Sequence, residues 1–204
     1  GVGYFWSTSL GRNDSVVDRL VTPMSAPRRG SLLVATPQLE DPNFRRSVVL
    51  LLDHGVEGSL GVILNRPSDI STEQVLPGWV QGSVIAPRCF LGGPVQTNAL
   101  VALVPTSATR SGLTAVTEQI ALLDIEEEPD IAQEDQENVC LYLGYSGWSQ
   151  GQLRVELEEG AWWVFDSEPD DLISDPFDCW SRVLSRQNSP ARLIAFHPNH
   201  SYLN

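Results

Sequence analysis

Hydrophobic positions along this chain change their spacing from segment to segment, and the changes mark out its elements. "SLLVAT" (31–36), "SVVLLLD" (47–53) and "LGVILN" (60–65) are short, nearly unbroken apolar runs rich in branched side chains. Runs of this length, bounded by Pro, Gly or charge, predict buried strands. "DHGVEGS" between the second and third carries two glycines in a short loop, which predicts an antiparallel hairpin. "CFLGGPV" (89–95) reads as a strand meeting a tight turn. "ALVALV" (99–104), "GLTAVT" (112–117), "NVCLYLGYSG" (138–147) and "AWWVFD" (161–166) read as further strands.

Helical spacing is rarer. "STEQVL" (71–76) opens with Ser71 and has Gln74 three positions on, a capping box. "QLRVELE" (152–158) alternates as a strand would. A second Ser/Gln box at Ser149 and Gln152, the shared face of Leu153 and Leu157, and Gly160 as a terminator favour a helix instead. "DPFDCWSRVLSRQ" (175–187) predicts a helix capped by Asp175, with Pro176 in its first turn and an apolar stripe of Phe177, Trp180, Val183 and Leu184. Short helices are also expected over 13–20, where Val16, Val17 and Leu20 share a face, and after Pro129. Strands come in blocks and helices interrupt irregularly, so the expected class is α+β rather than alternating βαβ.

Composition narrows the picture. The chain has 204 residues, 42% hydrophobic and 19% charged, enough for one substantial core. Residues 1–28, with "TPMSAPRR" at their end, read as an N-terminal arm or linker, partly disordered, ahead of one domain over 29–204. Gly1 is taken as a remnant rather than a native start, with Met24 as an alternative one. The opening stretch lacks the basic start and apolar run of a secretory signal, and no apolar stretch approaches the ~20 residues of a membrane helix. Cys89, Cys140 and Cys179 are widely spaced and odd in number, which predicts free thiols in a reducing cytoplasm. The net charge is −13, with no Lys at all and eight acids between Asp124 and Glu137. Binding to a phosphate backbone rests on cationic contacts, so neither direct nucleic-acid binding nor membrane association is expected.

The chemistry-bearing residues flank the predicted hairpin. Asp41, Arg45 and Arg46 precede its first strand, and Asn65, Arg66 and Pro67 follow its second. An antiparallel hairpin brings these two cassettes together at its open end. Two readings are open. Asp41 pairs with Arg46 or Arg66 in a structural network, since guanidinium forks suit carboxylates; or Arg46 or Arg66 holds an anionic ligand or a partner's carboxylate. If the turns at 92–95 and 144–148 join the same edge, the candidate ligand-binding set is Asp41, Phe44, Arg46, Asn65, Arg66, Pro67, Gly92, Gly93, Pro94, Gly147 and Trp148, with Trp148 as an aromatic wall. Such an edge suits a carboxylate or phosphate carrying a flat apolar body.

Catalytic signatures are missing from the sequence. "GYSGW" departs from the G-x-S-x-G nucleophile elbow, because Gly147 directly follows Ser146. "LGGPV" has no P-loop around it. His197 and His200 in "HPNH" lack the further ligands a zinc site needs, and His54 falls at the hairpin tip. No catalytic residue, metal or cofactor is therefore assigned.

Four ordered motifs carry a family resemblance: D-P-x-F-x-R-S-V-V-L-L at 41–51, G-x-I-L-N-R-P at 61–67, G-G-P-V at 92–95 and G-Y-x-G-W-x-x-G-Q-L at 144–153. Together they resemble the YqgE/AlgH family of bacterial proteins over roughly 29–204. The resemblance implies a single α+β domain with a coiled, branched, largely antiparallel sheet flanked by a few helices. It implies no settled activity; one branch is labelled a transcriptional regulator. The expectation is a cytoplasmic, non-catalytic binding or regulatory protein whose partner is an unknown protein or a small anionic ligand. The alternatives are an enzyme of unrecognised type acting on a small anionic substrate, and a regulator acting through partners rather than by touching DNA.

Overall fold

The apolar runs at 31–36 and 47–53 become the centre of one large sheet. A computed structural model describes residues 26–77, 87–126, 133–188 and 191–195 of the chain. Strands β1 (Ser31–Ala35), β2 (Val48–Gly55) and β3 (Gly58–Ile63) pair antiparallel in sequence order, with Leu32 opposite Leu50 and Val49 opposite Ile63. Every residue of β1 and the first five of β2 are buried. Both faces of these strands are covered, which is why their sequences run apolar without alternation. Leu32, Val34, Val48 and Leu50 point into one core cluster, and Leu33, Ala35, Val49 and Leu51 into another on the opposite face.

The remaining strands are β4 (Arg88–Leu91), β5 (Val95–Pro105), β6 (Leu113–Ala115), β7 (Ile120–Leu123), β8 (Cys140–Ser149) and β9 (Trp162–Asp166). Their order across the sheet is β6-β7-β5-β8-β3-β2-β1-β9, with β4 attached to β8 off this path. The branch is at β8. Its first half pairs parallel with β4, Cys89 opposite Leu141, and antiparallel with β5, Ala102 opposite Leu141. Its second half pairs with β3, Gly61 opposite Ser146. One strand thus serves three partners along its length, and the sheet coils as it does so.

Glycine makes that coiling possible. Gly93, at φ 156°, lies so close to β8 that a Cβ there would stand 2.2 Å from the carbonyl of Tyr145. Gly144, at φ 70°, meets the Gly93 carbonyl in the same way, at 2.5 Å. Backbone crosses backbone here, which only glycine permits. The G-G-P-V and G-Y-x-G-W motifs are therefore two halves of one crossing.

The helices are short: α1 (Thr72–Val75), α2 (Gln133–Gln136), α3 (Gln152–Glu158), α4 (Asp170–Ile173), α5 (Cys179–Ser185) and α6 (Ala191–Ile194). Helix α1 has the expected capping box between Ser71 and Gln74. Helix α3 is the helix expected over 152–158. It ends as Gly160 foretold, with the Gly160 N–H on the Leu157 carbonyl at 3.1 Å and the Ala161 N–H on the Glu156 carbonyl at 2.9 Å. Its start differs. Ser149 is the last residue of β8, Gly151 occupies the cap position, and Gln152 Oε1 accepts the Ser149 N–H at 3.0 Å.

The helix read over 175–187 needs correction. It begins at Cys179, and Asp175 Oδ1 accepts the Phe177 N–H at 2.9 Å in the turn that precedes it. Phe177 is consequently 82% exposed, while Trp180, Val183 and Leu184 are buried as the stripe requires. Strand β7 and helix α4 carried no clear sequence signal. Residues 1–25 of the arm, with the 13–20 helix, and Pro129, His197 and His200 lie outside the described residues; at the arm's end Arg28 pairs with Asp166 of β9, Nη2 to Oδ1 at 2.7 Å.

Candidate functional site

The segment between β1 and β2 folds by local hydrogen bonds before any ligand need be invoked. Asp41 is a turn residue: its Oδ1 accepts the Asn43 N–H at 2.8 Å, and its carbonyl accepts the N–H groups of Phe44 and Arg45. Among the described residues it makes no ion pair, so the expected Asp41 bridge to Arg46 or Arg66 is absent. Phe44 turns inward, its ring centre 6.2 Å from that of Trp148 and 5.6 Å from that of Trp162. Arg46 then adopts a left-handed φ of 55° that reverses the chain into β2.

Asn65 joins this segment to the far end of the hairpin. Its Nδ2 donates to the Arg46 carbonyl at 2.9 Å, and its Oδ1 accepts the Val48 N–H at 2.9 Å. The side chain is buried and uses both halves of its amide. Arg66 follows, half-buried. Its Nη2 donates to the Arg45 carbonyl, and its Nη1 reaches the Asn65 carbonyl at 3.5 Å. Arg46 stands over the ring of Trp180, with its guanidinium carbon 4.2 Å from the ring centre. That indole is itself anchored, Nε1 donating to the Ala35 carbonyl at 2.8 Å.

The result is an open cleft of about 520 Å³ lined by Glu40, Pro42, Arg45, Arg46 and Arg66. Burial, and then the neighbouring charge of Arg45, pull the Arg46 and Arg66 guanidinium groups below the ordinary arginine range. Both remain cationic at neutral pH. Around Arg66 the described partners are all carbonyl oxygens.

Of the eleven residues nominated from sequence, Arg46 and Arg66 line this cleft, Asn65 organises it and Pro67 flanks it. Gly92 and Gly93 stand beside it through the backbone: the Leu91 N–H donates to the Arg66 carbonyl at 2.7 Å and the Ile63 N–H to the Gly92 carbonyl at 2.8 Å. The Gly92 N–H is used on the Leu143 carbonyl at 2.7 Å, and Pro94 is exposed beyond it. Gly147 and Trp148 sit elsewhere. They pair with Leu60 and Ser59 toward the hairpin tip, at the opposite end of β3 from Asn65.

Trp148 is no aromatic wall. It is 5% exposed and packs edge-on to Trp162, with ring centres 5.9 Å apart. Glu156 Oε2 accepts both indole N–H groups at 2.8 Å. Sequence reading missed Glu40 and the platform under Arg46. Glu40 borders the first motif and was within reach; nothing local links Trp180, 134 positions on, to Arg46.

The other candidate groups resolve into structure. Ser146 is fully buried and its hydroxyl donates to the Gly92 carbonyl at 3.2 Å. His54 Nδ1 meets Ser59 Oγ at 2.7 Å across the hairpin tip, and among the described residues no carboxylate meets its other ring nitrogen. All three cysteines are buried and unpaired. No group of three metal-ligating side chains and no helix long and apolar enough to cross a membrane occurs among the described residues.

Comparison with known proteins agrees with this architecture. The chain is 43% identical over 182 residues to a UPF0301 protein of Streptomyces avermitilis, covering 86% of this chain and 94% of that one. It is 37% identical over 187 residues to a UPF0301 protein of Rhodococcus erythropolis, covering 89% and 93%. A crystal structure of a Corynebacterium diphtheriae protein superposes with a TM-score of 0.74 at 28% identity, covering 84% of this chain and 93% of that one. The solution structure of the AlgH protein from Pseudomonas aeruginosa superposes with a TM-score of 0.61 at 26% identity, covering 88% and 100%. The AlgH-like family model matches residues 32–192, from β1 through the cleft to α6, and to that family the chain belongs.

Proposed function

We propose that the protein is a non-catalytic binding or regulatory protein of the cytoplasm whose Arg45–Arg46–Arg66 cleft receives an anionic group. One observation carries this reading. Arg66 lines an open cleft with two further arginines, and among the described residues its fork meets carbonyl oxygens and no carboxylate. The spent hydroxyl of Ser146 and the lack, among the described residues, of an acid behind His54 favour binding over catalysis.

Paired denaturation and thermal-shift measurements on Arg66→Ala and Arg46→Ala test the reading. Arg66→Ala is expected to cost ~1 kcal/mol or less, as for a surface charge without an ion-pair partner, and to abolish the anion-induced shift. Arg46→Ala is expected to cost ~1–2 kcal/mol because Trp180 loses its cation. A loss of ~3 kcal/mol or more at Arg66 with no response to any anion, the signature of a broken buried pair, overturns the proposal.

A further inference from the structure

We infer that strand β6 is a docking edge for a second copy of this chain, paired antiparallel about a two-fold axis at Thr114 and independent of the Arg66 cleft. Strand β6 ends the sheet order and pairs with β7 alone. The Asp124 N–H donates to the Gly112 carbonyl at 2.8 Å, and the Val116 N–H to the Ile120 carbonyl at 2.8 Å. Bonded and unbonded pairs alternate along an antiparallel ladder. Gly112, Thr114 and Val116 therefore turn their backbone groups toward β7, and Leu113 and Ala115 turn theirs away. The Leu113 N–H donates to the Arg110 carbonyl at 3.3 Å. Among the described residues nothing takes the Leu113 carbonyl or the N–H and carbonyl of Ala115. Thr114 and Ala115 are exposed. An open row of this kind is a template for a further strand.

The row fits itself. A two-fold axis at Thr114 sets Leu113 of one copy opposite Ala115 of the other, on both sides of the axis. Each Ala115 N–H then meets a Leu113 carbonyl that is open in the single chain. Thr114 meets its own copy at an unbonded position, where opposed side chains stand closest. Leu113 is half-buried against the core cluster of Ala102, Val104 and Leu123, and Ala115 of the other copy extends that apolar surface. No charge and no Pro guards β6. Its length of three residues makes the association a weak one.

Charge agrees with an antiparallel pair. Asp124 and Glu126, both exposed, follow β7 at the Gly112 end of the edge. Arg28 and Arg29 line a cleft with Val116 and Thr117 at the opposite end. Arg28 pairs with Asp166, and Arg29 is exposed with no carboxylate partner among the described residues. The two-fold axis brings the acidic end of each copy to the arginine end of the other, and it holds the two acidic ends apart. Glu118, in the same cleft as Arg29, is brought toward the end that carries Arg110. In a chain of net charge −13, copies meeting by their acidic ends would repel.

Sedimentation velocity of the full chain over ~5–300 µM decides whether the pair forms, and a dimer with Kd on the order of 10–100 µM is expected. Thr114→Lys, which opposes two like charges on the axis, should raise that Kd ~10-fold or more. Ala115→Pro, which removes an N–H the single chain leaves open, should do the same with little change in Tm. Arg29→Glu should weaken the dimer ~3-fold or more, and added salt should weaken the wild-type dimer. Cross-linking reads the register. Under mild oxidation Thr114→Cys should give a disulfide-linked dimer on a non-reducing gel, because its two copies face each other across the axis. Ser111→Cys should not, because its copies are held apart, and the native thiols are all buried. A chain that stays monomeric at ~300 µM overturns the inference. So does a dimer that is indifferent to Thr114→Lys and gives no link at Thr114→Cys, since the copies would then meet elsewhere. Linking at both positions would overturn the register.

Discussion

Asn65 shows how much one buried amide can organise. Both of its hydrogen bonds join segments 17 and 19 residues away, and the Arg46 carbonyl it holds belongs to a residue at positive φ. Asn65→Ala strands the Val48 N–H inside the protein. It is expected to cost ~1–3 kcal/mol in urea unfolding and to blunt the anion response, since Arg46 loses its tether; a cost under ~0.5 kcal/mol would contradict this. The buried thiols set a different dependence. Burial, reinforced by the Asp171 carboxylate, pushes Cys179 up to about 12. Burial also raises Cys140, and lifts the fully buried phenol of Tyr142 well above its usual range. Below the ordinary thiol value of 9.0 both folded and unfolded chains hold these protons. Above it the unfolded chain releases them and the native one does not, so stability is lost as pH rises from 9 toward 12. Unfolding free energies from urea titrations should hold from pH ~7 to ~9 and fall above that, by at most ~1.4 kcal/mol per pH unit for each group. Cys179→Ala should flatten that slope, and an unchanged slope would count against the thiol's part in it.

At the scale of elements, short helices are held by polar ties that have no sequence period. Asp171 on α4 has a side chain with no exposure and takes a bidentate fork from Arg186, the C-cap of α5, with Nη2 on Oδ2 at 2.8 Å. It also accepts the Glu168 N–H at 2.8 Å. Asp171→Ala takes the buried carboxylate from Arg186, which keeps only the more exposed Glu168 carboxylate at 3.4 Å, and is expected to cost ~3 kcal/mol. Phe177→Ser, two residues before the same helix, should stay within ~0.5 kcal/mol. Chemical denaturation of the pair checks both, and similar costs at the two sites would refute the assignment. Glu156 plays the equivalent part for α3, gathering the indoles of Trp148 and Trp162 from β8 and β9. The capping box of α1 and the glycine stop of α3 were legible because each lies within a few residues. The start of α5 was misjudged because Asp175 and Pro176 suit a tight turn as well as a helix cap.

For the whole molecule, charge is the governing quantity. Residues 67–204 carry six Arg and 20 acids, a net of −14, against +1 for residues 1–66. The arginine cleft thus belongs to the near-neutral part of a chain that is acidic as a whole. Its affinity for anions should fall with added salt, and an extended polyanion should be repelled where a compact one is admitted. Random duplex DNA is accordingly expected to show no sub-micromolar binding at ~150 mM salt in an anisotropy titration. Tight binding there would mean that charge outside the cleft governs its access.

Sequence alone determined the strands of the central sheet, because burial on both faces demands an unbroken apolar run, and that run is visible residue by residue. It also determined that the two arginine cassettes meet, because hairpin pairing brings strand start beside strand end. Tertiary structure decided everything that depends on which distant surfaces touch. It buried Trp148 against Phe44 and Trp162, slid Trp180 beneath Arg46, and spent the glycine motifs on a backbone crossing. It left Asp41 to a turn and Arg66 to the cleft. A guanidinium carries no local mark of whether its partner will be a carboxylate in the same chain or an anion from outside; that depends on the fold, which among the described residues gives the Arg66 fork carbonyl oxygens as hydrogen-bond partners.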